Sequence, residues 1–229
     1  MKRAFPVLGL LTLVLLSYAL YEALVGAPTE QTMGDVQRIF YYHVPSAWTA
    51  FLLFFINFGA SVWYLIKRDL KADAVAVVSA EVGVVFCSVV LVTGPIWARP
   101  VWGIWWTWDM RLTLTLVLWL IYVSYLVLRR FSSGSQTPLV AAVLAVFGAL
   151  DVPLVYFSIW YFRTQHPSPV IGRGGQLDPR MLHVLLINWA AFLCFAFLVC
   201  WSRYRLERLK RHVEETQALE ALLEPRSTV

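Results

Sequence analysis

Six stretches of this chain, at about 5–25, 46–66, 74–93, 113–128, 139–160 and 181–202, are apolar runs of the kind that cross a bilayer as helices. The fourth is short, and the Trp-rich segment before it supplies the missing length. No other feature limits the fold as strongly. In hydrocarbon every backbone N–H and C=O must find a partner within the protein, and a helix satisfies them segment by segment. The composition agrees: 59% of the 229 residues are hydrophobic, 14% are charged, and the mean hydropathy is +0.66. The expected fold is an all-α integral membrane protein with six transmembrane helices. Residues 1–202 form one membrane unit and 203–229 a helical tail. The first run, about twenty residues, exceeds the core of roughly 7–15 residues in a secretory signal. Pro28 also follows the plausible small-residue cleavage site, so this run is expected to be retained as a span.

Charge sets the expected orientation, because Lys and Arg concentrate in cytoplasmic connections. With the N-terminus inside, Lys2, Arg3, Lys67, Arg68, Lys71, Arg129, Arg130, Arg203, Arg205, Arg208, Lys210, Arg211 and Arg226 are cytoplasmic. Arg38, Arg99, Arg111, Arg163, Arg173 and Arg180 are external. That two-to-one bias places both termini in the cytoplasm. The formal charge of +5 is therefore a topology signal and not a nucleic-acid footprint. Cys87, Cys194 and Cys200 fall inside spans and form no Cys-x-x-Cys pair. This excludes a c-type cytochrome, a thioredoxin-like redox protein and a zinc ribbon.

Connections after spans one, three and five share one membrane face whichever way the chain inserts. The first ends in Arg38-Ile39-Phe40-Tyr41-Tyr42-His43-Val44-Pro45. The second is Trp102-Gly103-Ile104-Trp105-Trp106-Thr107-Trp108-Asp109-Met110-Arg111, preceded by Trp97. The third contains Thr164-Gln165-His166-Pro167. Interfacial anchoring explains isolated aromatics such as Trp48, Trp63, Trp119, Trp160 and Trp201. It does not explain four Trp within seven residues. Indole rings at this density suit a surface that receives a large flat aromatic ligand, and a porphyrin is such a ligand.

Two neutral imidazoles facing each other across a plane make an axial pair for haem iron. If the Trp segment is a short surface helix, Trp102, Trp105, Trp106 and Asp109 share one face. Arg99 and Arg111 flank it and can pair with propionate carboxylates. Asp109 and Arg111 can equally pair with each other. Asn57, Glu81, Asp151 and Asn188 lie at membrane depth, where polar groups either pair between helices or serve function. Asp151 precedes Pro153, which is expected to kink span five. His183 is read as a helix-packing residue or one at the edge of the site, and not as an iron ligand. The tail runs from basic to acidic with a loose apolar stripe, and either contacts a cytoplasmic partner or is solvated.

The segment from Trp102 to Thr113 resembles the WWD signature of the haem-handling proteins of cytochrome c maturation. Within that superfamily the six spans and the positions of His43 and His166 resemble the CcmC (haem exporter protein C) family, over about residues 5–202. The resemblance implies that His43 and His166 are the axial ligands of haem b. It also implies that Trp102, Trp105, Trp106, Trp108, Asp109 and Arg111 contact haem and its partner. Where the family carries a tryptophan pair before the second histidine, this chain has Tyr161 and Phe162. Implied partners are the haem chaperone CcmE, the CcmA ATPase, the CcmB permease and the small CcmD, with membrane lipid around the chain. The implied place is the bacterial inner membrane, with haem held on the periplasmic side. A phosphate-binding loop of the Gly-x-x-x-x-Gly-Lys-Ser/Thr type does not occur, consistent with the ATPase subunit that the resemblance implies. Two other readings remain at this level: a cytochrome c haem lyase, and a haem b electron-transfer subunit.

Overall fold

The computed structural model describes residues 4–132, 134–162, 164–166 and 177–223. Among them six helical segments are long and apolar enough to cross a membrane: Ala4–Gly26, Asp35–Lys67, Leu70–Trp102, Met110–Phe131, Thr137–Tyr161 and Pro179–Ala221. They are built from α1 (Ala4–Tyr21), α2 (Phe40–Lys67), α3 (Leu70–Trp102), α4 (Met110–Phe131), α5 (Thr137–Ala149), α6 (Asp151–Tyr161) and α7 (Pro179–Leu223). The all-helical expectation and the number of spans hold. Lys2, Arg3, Arg163, Pro167, Arg173 and Arg226 lie outside the described residues.

The helices are longer than the apolar runs. A 3-10 turn, Asp35–Ile39, leads into α2, which starts at Phe40, ahead of the apolar run. α3 carries Pro95 and Pro100 in its last turns and stops at Gly103. There φ is +77°, a left-handed cap that favours glycine, and the Gly103 N–H donates to the Arg99 carbonyl. Span five is broken into α5 and α6 at Leu150. This is the kink expected from Pro153, whose missing N–H leaves the Ala149 carbonyl without an intrahelical donor.

α2 and α3 pack along most of their length and form the centre of the bundle. Their joint core is Ala50, Leu53, Phe54, Ala80, Val82, Phe86 and Cys87, continued by Leu118, Tyr122 and Tyr125 of α4. Phe54 stacks on Tyr122 with centroids 3.8 Å apart and planes 11° apart. Gly83 makes room for this pair: a Cβ there would lie 2.7 Å from Phe54 Cε1. Small residues at such crossings let helices approach where no hydrophobic gradient drives them together.

The polar groups at membrane depth mostly hold helices together. The Asn57 amide donates to the Ala76 carbonyl at 2.7 Å, joining α2 to α3. The Asn188 amide donates to the carbonyls of Val184 at 2.9 Å and Ala19 at 3.2 Å, joining α7 to α1. Glu81 receives both a 2.9 Å and a 2.8 Å bond from Arg203. Asp151 is buried, and its Oδ2 has no partner among the described residues.

The end of the bundle away from His43 and His166 is closed by ions. Asp73 is 2% exposed and accepts a bidentate pair from Arg129 of α4, at 2.8 and 2.7 Å. Arg211 of α7 adds a third bond to it at 2.8 Å and also donates to the Leu70 carbonyl. Part of the tail therefore docks on its own bundle. α7 is 45 residues, about 67 Å at 1.5 Å per residue, and extends well past any bilayer.

Candidate functional site

At the opposite end a cavity of about 410 Å³ opens between α2, α3, α4 and the connections. Its walls include His43, Trp97, Trp102, Trp106, Arg111 and His166. Three segments far apart in sequence thus meet at one space. Ala47, Ala50, Phe51, Cys87, Val90, Leu91, Leu112 and Val155 give the cavity an apolar floor inside the helix bundle. Glu30, Thr32 and Met33 of the first connection complete the rim. The sequence had not pointed to them. Their turn is built by the Glu30 carboxylate, which accepts from the backbone N–H groups of Thr32 and Met33.

His43 is not on a loop, contrary to expectation. It lies in the first turn of α2, 8% exposed. The preceding 3-10 turn and the buried aromatics Phe40 and Tyr41 carry the helix ahead of the apolar run. Those rings pack on Met181, Val184 and Leu185 of α7. Arg38 anchors the same region by donating to the carbonyls of Ala23 at 3.0 Å and Ala27 at 3.3 Å, while pairing with Asp35. The His43 ring meets Trp97 edge-on, with centroids 5.8 Å apart, and its Nδ1 lies 2.8 Å from Thr93 Oγ1.

The Trp segment is not a surface helix. Trp102 is the last residue of α3, and the chain from Gly103 to Trp108 is non-helical because the left-handed cap redirects it. The face shared by Trp102, Trp105, Trp106 and Asp109 therefore does not form. Trp102 and Trp106 line the cavity, whereas Trp105 is 59% and Trp108 76% exposed. Trp108 meets Trp106 edge-on at 5.8 Å. Arg99 lies outside the cavity wall, where it donates to the Gly103 carbonyl and sits 6.0 Å from the Trp105 ring.

Asp109 neither lines the cavity nor spends its oxygens on Arg111. It caps α4, accepting from the Leu112 N–H at 3.0 Å. Its Oδ2 accepts from the hydroxyls of Thr107 at 3.0 Å and Thr164 at 2.9 Å, and from the Gln165 N–H at 3.2 Å. The His166 N–H then donates to Thr164 Oγ1 at 3.0 Å. One carboxylate thereby fixes the Trp segment and the His166 connection to the start of α4. Burial pushes the Asp109 carboxyl up, but these hydrogen bonds outweigh it and hold it below its ordinary value.

The residues fit a metalloporphyrin. Two imidazoles reach one space, indoles wall it, its floor is apolar, and Arg111 supplies a cation on its wall. Trp97 Nε1 and Trp106 Nε1 are buried donors with no acceptor among the described residues. Such donors call for an acceptor from a ligand. His183 is exposed and does not line this cavity.

The whole chain can be placed among known proteins. The family described as CcmC, Heme exporter protein C, matches residues 1–219. A Heme exporter protein C of Bradyrhizobium diazoefficiens is 35% identical over 222 residues, covering 96% of this chain and 84% of its own. Those of Haemophilus influenzae and Escherichia coli (strain K12) are 32% and 30% identical, covering 90% of this chain and 85% and 82% of theirs. The chain is a member of the CcmC, heme exporter protein C, family.

Proposed function

We propose that this chain holds haem b at the periplasmic face of the bacterial inner membrane and passes it to the haem chaperone CcmE. His43 and His166 serve as the axial iron ligands. Trp97, Trp102 and Trp106 wall the ring, and Arg111 pairs with a propionate. Trp105 and Trp108, exposed beside the cavity mouth, form the face that meets the chaperone, and Arg99 supports Trp105. Asp109 acts on haem indirectly, through the placement of the His166 connection. Haem is cargo here, and its vinyl groups are what the chaperone reacts with. The protein binds, orients and shields it. The ATPase CcmA, the permease CcmB and the small CcmD complete the complex.

The observation that carries this reading is the convergence of both histidines, three indoles and Arg111 on a single cavity with an apolar floor. A test is to purify His43→Ala and His166→Ala variants in detergent and record oxidised and reduced haem spectra. Each is expected to lose haem or its low-spin bands. Full haem content with unchanged low-spin spectra in both variants would overturn the ligation.

A further inference from the structure

The hydrogen-bond directions around His43 determine which of its nitrogens carries the proton. Thr93 Oγ1 lies 2.7 Å from the Val89 carbonyl, one helical turn back on α3. A carbonyl only accepts, so the single Thr93 hydroxyl hydrogen is committed to Val89. Thr93 Oγ1 also lies 2.8 Å from His43 Nδ1. With its hydrogen already spent, the hydroxyl oxygen can only accept there, and Nδ1 must donate. In a neutral imidazole one nitrogen carries hydrogen and the other a lone pair. The lone pair is therefore on Nε2.

α3 contains a second copy of this arrangement, in which the direction is beyond choice. Ser88 Oγ donates to the Val84 carbonyl at 2.8 Å and accepts from Trp119 Nε1, also at 2.8 Å. An indole N–H can only donate. One turn further along the same helix, Thr93 meets His43 in the same way.

We infer that Thr93 is a positioning residue for haem binding: it holds His43 as the Nδ1–H tautomer, leaving the Nε2 lone pair for iron. The inference rests on His43 being an iron ligand, as proposed above. Two groups hold the ring before any haem arrives: Thr93 at its Nδ1 and Trp97 against it edge-on. An imidazole that donates through its far nitrogen is a more basic ligand with a fixed plane. Loss of such an outer partner lowers metal-site affinity by about 10–100-fold.

Two variants test this: Thr93→Val, which keeps the shape and removes the acceptor, and Thr93→Ser, which keeps the hydroxyl. In haem-free protein labelled with ¹⁵N-histidine, His43 is expected to show a protonated Nδ1 and a bare Nε2. It is identified by its disappearance in His43→Ala. Thr93→Val is expected to mix the two tautomers, and Thr93→Ser to restore the single one. In haem-loaded protein, Thr93→Val is expected to retain haem about 10–100-fold less tightly. Its midpoint potential is expected to rise, because a less basic ligand stabilises ferric iron less. Thr93→Ser is expected to match the parent in both. A protonated Nε2 in the parent, or a Thr93→Val protein matching it in tautomer, affinity and potential, overturns the role of Thr93. The ligation reading stands or falls separately: it fails if His43→Ala keeps its low-spin haem, whatever the tautomer.

Discussion

Asp109 joins the start of α4 to two connections through one carboxylate, and its role is therefore positional. Asp109→Ala removes the helix cap, worth roughly 1 kcal/mol, and frees the His166 connection. Haem content is expected to fall although no group facing the cavity has changed. The sign of the pH dependence follows from the lowered carboxyl. A group depressed on folding contributes stability above its unfolded value, near 3.9 for Asp, and loses it as pH falls through the folded value. Protection of the 164–166 segment from hydrogen exchange is expected to persist from neutral pH down to about 4 and to be lost below it. Asp109→Ala is expected to show that loss already at neutral pH. Protection in Asp109→Ala equal to the parent's would remove this account. Thr93, which the sequence-based site did not include, leaves a faint trace in the sequence. It is the one hydroxyl in Val89-Val90-Leu91-Val92-Thr93-Gly94, spaced four residues before Trp97.

Among the elements, α3 does most to organise the molecule. It presents Gly83 to Phe54, Thr93 to His43 and Trp97 to the cavity, and Asp73 in its first turn gathers α4 and α7. Gly83→Val forces side-chain atoms into the space of the Phe54 ring. Overpacking of this kind costs about 1–3 kcal/mol. A lower thermal midpoint in detergent, with haem spectra unchanged at low temperature, is the expected result. Leaving a buried charge without its partner typically costs about 3–5 kcal/mol. Asp73 pairs with both Arg129 and Arg211, so Asp73→Ala deprives both arginines of this carboxylate at once and is expected to destabilise the protein more than Gly83→Val. Arg129→Ala leaves Asp73 paired with Arg211 and is expected to cost less than Asp73→Ala. An Asp73→Ala protein with the parent's melting temperature would show that the ion cluster is stabilised by solvent and not by pairing.

At the scale of the molecule, the two ends of the bundle differ in kind. One is an aromatic-walled cavity. The other is an ion cluster with a docked basic helix. The cation bias supports the proposed placement of the cavity end outside the cytoplasm. On a background lacking Cys87, Cys194 and Cys200, Gln31→Cys is expected to react with a membrane-impermeant maleimide added to spheroplasts. Lys210→Cys is expected to react only after lysis. The reverse pattern would invert the topology and remove the periplasmic assignment of the site.

The number of spans, their parity and the identities of the histidines and tryptophans on the cavity end were legible in the chain. A bilayer allows only one economical way to hide a backbone, and consecutive helices must alternate ends. The length of α2 and the division of the Trp segment were not legible. Hydropathy marks where lipid is and not where a helix ends, so the sequence alone leaves His43 in a loop, and the packing of Phe40 and Tyr41 on α7 draws it into α2. Periodicity assumes a helix, and a single left-handed glycine at 103 cancels it, turning Trp102 and Trp106 inward while Trp105 and Trp108 stay exposed. The partnership of Thr93 with His43 spans 50 positions and exists only because α2 and α3 pack side by side. Local pattern specifies which segments enter the membrane. Which atoms face one another across two helices depends on how those helices pack.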